Sequence, residues 1–256
     1  MIDWTPLRRL TAARIGLQRA GVSVGTADHL AFRTAHALAR DAVQSELDTA
    51  ILAREVAALG LDPRVLASAC TDTHEFLTRP DRGRRLSTAS RTALAAPPDR
   101  CDVVFALVGG LSARGVAAHA VPLLAILLPR LRDWRIGPAC LVGRGRVALG
   151  DEIGAALDAA MVVVLIGERP GLSAPDSLGA YLTWQPRLGR RDAERNCVSN
   201  IRPEGLPIVD AAARLLWLMT QARSMRLTGV GLKDESGPAL DSRNADRAVA
   251  AVTKHA

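Results

Sequence analysis

The first hundred residues carry apolar side chains at three- and four-residue spacing, a period typical of helices that bury one face. The clearest example runs over residues 26–47, and Thr26 is its expected N-cap. No alternation of apolar and polar residues, as a half-buried strand would show, occurs before Cys101. We therefore predict a helical region without strands in this part of the chain.

After Pro97 and Pro98 the pattern changes to short apolar runs separated by helical segments, so this pair is the expected domain boundary. Three buried strands are predicted, over residues 101–108, 136–142 and 161–166. A helix capped by Ser112 and ending near Trp134 separates the first two strands, and a shorter helix over residues 151–157 precedes the third. Strands that alternate with helices predict an α/β fold with a wound, Rossmann-like parallel sheet.

These patterns divide the chain into a helical region (1–98), an α/β domain (99–234) and a polar C-terminal tail (235–256). Inside the α/β domain, residues 210–225 have the spacing of an amphipathic helix. Residues 187–202 are polar, basic and aperiodic, so we predict a long loop there. Long ordered loops in compact domains are usually functional, which makes this segment a candidate part of a site.

Three glycine-rich loops follow the three predicted strands. They cover residues 109–112 (GGLS), 143–147 (GRGRV) and 167–171 (GERPG). Ligands of parallel α/β sheets bind outside the carboxyl ends of the strands, and glycine lets the backbone approach a ligand closely. Tight turns alone would explain the glycines of any single loop. The three loops together favour a ligand-binding edge of the sheet.

Composition narrows the classes of function. Apolar residues make up 48 % of the 256 residues, enough for a sizeable core, and the net charge is +7. The arginines that dominate this charge are spread along the chain without interleaved aromatic residues, so we expect no nucleic-acid binding. The four cysteines are far apart and form no CxxC motif, which disfavours a zinc site. No apolar run is long enough for a membrane span and no signal peptide is visible, so we expect a cytoplasmic protein without membrane contact.

The common catalytic motifs are absent. The sequence contains no GxGxxG after a strand, no P-loop, no GxSxG elbow and no HExxH. It also lacks DxHxxG, by which one class of corrinoid proteins supplies a histidine to cobalt. We therefore predict neither a metal site nor a complete set of catalytic groups on this chain.

Several long stretches together resemble one family. They are LTRPDRGRRL (77–86), GRVALGDEIG (145–154), VVVLIGERPGLSAPDSLGAYLTWQPR (162–187), DAERNCVSNIRPEGL (192–206) and RLTGVGLKD (226–234). The chain resembles the small (light) subunit of adenosylcobalamin-dependent ethanolamine ammonia-lyase, from about Leu7 to Asp234. Motifs of this length and order are highly specific.

The resemblance implies one half of a two-subunit enzyme that converts ethanolamine to acetaldehyde and ammonia by radical chemistry. It implies that the large subunit holds the substrate and that the small subunit clasps adenosylcobalamin from the side of its nucleotide tail, within a higher-order hetero-oligomer. The family's cofactor contacts carry over to Val147 in the GRV motif, Glu168 in GERPG and Cys197 in DAERxCxSN. The groups that act on the substrate are then expected on the large subunit, with no catalytic residue here.

Glu168 and Arg169 stand between glycines and beside Pro170, which lowers the entropy cost of holding the loop in place. For a corrinoid, the resemblance implies that the carboxylate accepts hydrogen bonds from a peripheral amide or a ribose hydroxyl. A surface ion pair between the two side chains, worth about 0–1 kcal/mol, is the competing explanation. Arg169 has three candidate partners, namely Glu168, the partner subunit or a phosphate.

The chain also departs from the family in ways that affect these expectations. Relatives usually have Asp where this chain has Gly109, so a carboxylate is missing from the first loop. Some relatives carry a long N-terminal extension absent here, which leaves packaging into a bacterial microcompartment open. Cys197 lies beside Arg195, a setting expected to lower the pKa of a thiol, but we predict a packing contact rather than a nucleophile. The alternative function is a stand-alone nucleotide-binding α/β protein that has lost the partner.

Overall fold

A computed structural model describes residues 4–11, 13–94 and 100–237. The predicted boundary at Pro97 and Pro98 and nearly all of the predicted C-terminal tail lie outside these residues. The division of the chain at residue 98 therefore stays a prediction.

The described residues form a mixed α/β structure. The strands are β1 (Arg19–Ala20), β2 (Ser23–Val24), β3 (Pro63–Leu66), β4 (Val103–Val108), β5 (Ala139–Val142), β6 (Met161–Gly167), β7 (Leu178–Trp184) and β8 (Arg195–Ile201). The α-helices are α1 (Thr5–Arg8), α2 (Thr26–Gln44), α3 (Thr49–Ala58), α4 (Thr73–Thr78), α5 (Pro80–Gly83), α6 (Thr88–Ala93), α7 (Ala113–Leu127), α8 (Leu149–Ala156) and α9 (Ile208–Met225). Short 3-10 helices cover Leu128–Arg130 and Asp192–Glu194.

Strands β3 to β8 form one six-stranded sheet in the order β3-β5-β4-β6-β7-β8, and β1 and β2 form a separate two-stranded sheet. Strands β3, β5, β4 and β6 are parallel to one another, whereas β7 is antiparallel to both β6 and β8. The predicted wound parallel sheet is thus confirmed for β4, β5 and β6. The hairpin of β7 and β8 that extends it was not predicted.

The sheet is covered on both faces. All six residues of β4 are buried, and they alternate between two apolar clusters: Phe105 packs with α7 and α9, and Val104 packs with α8. This two-sided burial explains why the central strands are continuous apolar runs. Because α7 and α8 lie on opposite faces, the loops that lead into them diverge and leave space at the carboxyl edge of the sheet.

The structure corrects the predictions for the first hundred residues. Strand β3 lies before Cys101 and pairs in parallel with β5, although no strand was expected there. Only Leu66 of its four residues is buried, so this edge strand carries no alternating pattern. The predicted N-cap, Thr26, is instead the first helical residue of α2. The N-cap is Gly25, which has no side chain to accept a capping hydrogen bond.

Two predictions for the α/β domain need correction. Ser112 is the N-cap residue of α7, as predicted, but its side chain makes no capping bond, because its hydroxyl donates a hydrogen bond to the carbonyl of Pro175 (2.8 Å). The second half of the predicted loop 187–202 is strand β8. One extra residue of β8 opposes β7 near Asn200, where φ is +57°, and this bulge disturbs the alternation by which a strand is recognised.

Candidate functional site

A cavity of about 430 Å³ opens at the carboxyl ends of β4, β5 and β6. Residues 110–111, 145–147 and 166–169, at and beyond the ends of these strands, line it together with Tyr181 of β7 and Ser199 of β8. The prediction that the three glycine-rich loops meet at one edge of the sheet is therefore confirmed. The contribution of the β7–β8 hairpin was missed, because the pairing that brings it there joins segments distant in sequence.

Glycine is required where these loops touch. Leu111 donates a backbone hydrogen bond to the carbonyl of Gly167 (3.0 Å), and a Cβ at Gly167 would lie 1.8 Å from the carbonyl oxygen of Ser112. A Cβ at Gly109 would lie 2.1 Å from the carbonyl oxygen of Gly143. A side chain at position 109, such as the Asp expected from the family resemblance, does not fit this arrangement unless the second loop moves.

The Glu168 side chain is half-buried and is fixed by β8. Its Oε1 accepts a hydrogen bond from the Ser199 hydroxyl (2.5 Å), and its Oε2 accepts one from the backbone N–H of Asn200 (3.0 Å). Gly179 on β7 leaves room for the carboxylate, because a Cβ there would lie 2.9 Å from Oε1. Among the described residues Glu168 forms no ion pair, so the ion pair with Arg169 considered for this loop is absent.

Arg146 is the second charged group of the cavity. Its guanidinium carbon lies 4.2 Å from the centroid of the Phe76 ring, and Nη2 donates a hydrogen bond to the Phe76 carbonyl (2.9 Å). Burial, and then the positive charge of Arg169, lower the pKa of Arg146. Neither arginine pairs with a carboxylate in the described part of the chain.

The structure places the three expected cofactor contacts close together. Val147 and Glu168 line the cavity, and Cys197 lies just outside it, paired in register with Tyr181. Val147 is half-buried and packs against the apolar cluster around α8. Cys197 lies on strand β8, so the expectation that it lies on a loop is wrong.

The environment of Cys197 raises the pKa of its thiol. The residue is exposed, but the protein atoms around its sulfur reduce solvation of the thiolate, and this is the main cause; the Tyr181 hydroxyl works against it, and the negative charge of Glu168 adds to it. The expectation that Arg195 lowers this pKa is wrong, because the Arg195 guanidinium is occupied elsewhere. Burial also raises the pKa of Tyr181, as does the neighbouring Cys197. Both groups are therefore neutral at physiological pH.

A buried ion pair fixes β8 beside the cavity. Arg195 donates two hydrogen bonds to the carboxylate of Asp151 (2.6 and 2.7 Å) and a third to the Thr183 hydroxyl (2.8 Å). Asp151 lies in the first turn of α8, so the pair ties β8 to that helix. Sequence analysis missed it because Asp151 was predicted at the start of a helix and Arg195 in a long loop, so nothing indicated that the two side chains meet.

Two general observations concern the described residues. None of their helices combines the length and the apolar character needed to cross a bilayer. No group of three or more His, Cys, Asp or Glu side chains among them could hold a metal ion.

Comparison with known proteins identifies the family. The model of the ethanolamine ammonia-lyase light chain (EutC) family matches residues 2–233. The ethanolamine ammonia-lyase small subunit of Azotobacter vinelandii is 52 % identical over 239 residues, covering 91 % of this chain and 88 % of the relative. The proteins of the same name from Pseudomonas fluorescens and Ralstonia nicotianae are each 50 % identical and cover 91 % and 90 % of the chain, or 87 % and 88 % of the relatives. The chain therefore belongs to the ethanolamine ammonia-lyase small-subunit family.

Proposed function

We propose that this chain assembles with an ethanolamine ammonia-lyase large subunit and that the complex converts ethanolamine to acetaldehyde and ammonia with adenosylcobalamin. Family membership supports the activity, and the name "small subunit" of the relatives implies a larger partner. The absence of common catalytic motifs in the sequence supports a chain that contributes cofactor contacts and leaves the chemistry on ethanolamine to its partner.

One observation carries the proposal. Val147 and Glu168, which match two family cofactor contacts, are 21 positions apart in sequence and line the same cavity. Cys197, the third match, is paired in register with Tyr181, which also lines it. Positions selected by resemblance alone thus coincide with the edge where parallel sheets bind ligands.

The residues present fit one part of a corrinoid. The volume of about 430 Å³ is in the range of small-molecule sites but much smaller than a whole corrinoid. This supports contact with the nucleotide tail alone, while the partner subunit covers the rest. Each Glu168 oxygen already accepts one hydrogen bond and retains a free lone pair. The carboxylate can therefore accept further bonds from a ribose hydroxyl or a side-chain amide of the cofactor.

The bound cofactor supplies the radical chemistry, and this chain supplies position and electrostatics. The hydrogen bonds from Ser199 and Asn200 of β8 fix the orientation of the Glu168 carboxylate. Val147 presents an apolar surface at the start of α8. The glycine backbone at the loop contacts keeps the wall of the cavity free of side chains. Because these groups are fixed before binding, little entropy is lost when the cofactor tail enters.

Coexpression with the large subunit of a close relative tests the proposal. We expect a stable complex by size-exclusion chromatography, and acetaldehyde formation only when both chains and adenosylcobalamin are present. Controls are each chain alone and the complex with cyanocobalamin. Full activity from this chain alone would contradict the proposal. Nucleotide binding by this chain, with no complex formed, would support the stand-alone alternative.

A further inference from the structure

We infer that Arg146 and Arg169 together bind an anionic group of the ligand, a phosphate ester, inside the cavity described above. The identity of the ligand rests on the proposed function; the preference for an anion rests on the charges of the site. Both side chains line the cavity, and among the described residues neither forms an ion pair or a hydrogen bond with a carboxylate.

Arg146 is held in a fixed position by groups that carry no opposite charge. The Phe76 ring lies against its guanidinium, and the Phe76 carbonyl accepts a bond from Nη2. Gly83 makes room for the stem, because a Cβ there would lie 3.0 Å from Cγ of Arg146. The Nε atom is buried and has no hydrogen-bond partner within residues 4–11, 13–94 and 100–237. A guanidinium fixed in this way loses little entropy when it binds.

The cationic groups near the cavity repel one another. The charges of Arg169 and Arg84 both act to lower the pKa of Arg146, after the larger effect of burial. Glu168, the one carboxylate in the described lining of the cavity, is engaged with Ser199 and Asn200 of β8. A partly buried cation without a partner is unfavourable, and a bound anion removes that penalty.

A phosphate ester fits these groups best. Guanidinium groups present several N–H donors in a planar fork that matches phosphate oxygens, and two of them can share one phosphate. Under the proposed function, the anion is the single phosphodiester in the nucleotide tail of the cobalamin. Under the stand-alone alternative, it is the phosphate of a free nucleotide. The same two side chains serve either source.

Two corrinoids separate the nucleotide tail, which contains the phosphodiester, from the rest of the cofactor. Adenosylcobinamide lacks the nucleotide tail and its phosphodiester, whereas adenosylcobalamin has both. We would measure the affinity of each for the assembled two-subunit complex, with wild-type chain, Arg169→Gln and Arg146→Lys. The matched control is Arg132→Gln, an exposed arginine beyond the end of α7 at the opposite edge of the sheet.

Arg169→Gln should weaken adenosylcobalamin binding roughly tenfold to 150-fold, the range for a lost hydrogen bond to a charged group. Adenosylcobinamide binding should stay within about twofold, and Arg132→Gln should change neither. Arg146→Lys keeps the charge but loses the fork, so it should weaken adenosylcobalamin binding alone and by a smaller factor. Equal losses for both corrinoids, or no loss in either cavity variant, would overturn the inference.

A second measurement separates this inference from the proposed function. If the wild-type complex binds neither corrinoid, the proposed function fails, and calorimetry with ADP and adenosine decides the remaining question. Binding of ADP but not adenosine, lost in Arg169→Gln, would support the anion site with a nucleotide as its source. Absence of ADP binding as well would refute the anion site.

Discussion

Two arginines on the same side of the sheet have opposite environments. Arg195 is 7 % exposed, and its guanidinium forms two hydrogen bonds to Asp151 and one to Thr183. Arg146 is half-buried, lies against Phe76 and has no carboxylate partner in the described part of the chain. The first charge is neutralised within the fold, whereas the second is neutralised only if something else binds.

This difference separates stability from function in one small region. The charge of Arg195 is balanced by Asp151 before any ligand arrives, although its Nε, like that of Arg146, makes no hydrogen bond among the described residues. The pair therefore stabilises β8 and α8 but can add little to binding. The charge on Arg146 is a cost to the folded chain, and relief of that cost favours a ligand. Natural sites commonly violate local rules in this way, because groups poised for a ligand cannot also be satisfied internally.

The largest effect on stability is expected when the ion pair between Arg195 and Asp151 is broken. Asp151→Ala leaves the buried Arg195 charge with only the longer contact to the exposed Asp192 carboxylate (3.6 Å), which should lower the free energy of unfolding by about 3–5 kcal/mol. Asp62→Ala is the control, because its ion pair with Arg64 is exposed and should contribute about 0–1 kcal/mol. Urea unfolding followed by circular dichroism measures both. A loss below 1 kcal/mol in Asp151→Ala would show that Arg195 finds another partner.

Substitution of Glu168 tests the carboxylate inside the cavity. Glu168→Ala should weaken adenosylcobalamin binding to the complex by about 1–3 kcal/mol, or roughly fivefold to 150-fold. Glu168→Gln should recover part of this, since its amide oxygen can face the Asn200 N–H and its amide N–H can donate to the Ser199 hydroxyl. Assembly must be checked by size-exclusion chromatography for each variant.

Ser199→Ala is the matched control for that comparison. It removes one donor to Glu168 but leaves the carboxylate and its second bond in place. We expect a smaller loss of affinity than for Glu168→Ala. If Glu168→Ala binds the cofactor as tightly as wild type while it assembles normally, the assigned contact is wrong.

The parallel part of the fold could be predicted because burial on both faces leaves an uninterrupted apolar run, as in β4 and β6. The two edge strands of the sheet, β3 and β8, could not be predicted. Strand β3 buries only Leu66, and β8 combines a bulge with the buried charge of Arg195. Neither therefore shows the alternating pattern by which strands are recognised.

Part of the candidate site could likewise be predicted from the sequence, and part could not. The glycines of the three loops indicated the edge, and resemblance selected Val147, Glu168 and Cys197. Tyr181 and Ser199 were missed because β-sheet pairing brings them to the cavity from β7 and β8. No local sequence pattern encodes that pairing. It also places Cys197 beside Tyr181, in surroundings that raise the pKa of the thiol, whereas the sequence neighbours predicted a lower pKa.

Cys197 should contribute little to turnover. The pKa of its thiol lies above the ordinary value of 9.0, so the thiolate is a minor species at neutral pH. Cys197→Ser should retain most of the activity at saturating cofactor. Alkylation by iodoacetamide should be slow at pH 7 and accelerate above pH 9, with Cys197→Ser identifying the label at this site. A hundredfold loss of turnover, about 2.7 kcal/mol in the barrier, would indicate a chemical role.

The smallest effect on stability is expected at Arg169, which is the exposed one of the two arginines that line the cavity. Arg169→Gln should change the free energy of unfolding by no more than about 0.5 kcal/mol, since the side chain has no partner to lose among the described residues. The sign should be stabilising at low salt, because the variant removes a charge that repels Arg146. Added salt screens that repulsion in the wild type, so the two proteins should converge above about 0.5 M NaCl. A loss of stability larger than 1 kcal/mol would mean that Arg169 supports the fold as Arg195 does. The contrast between the two arginine environments would then no longer distinguish a structural charge from one kept for a ligand.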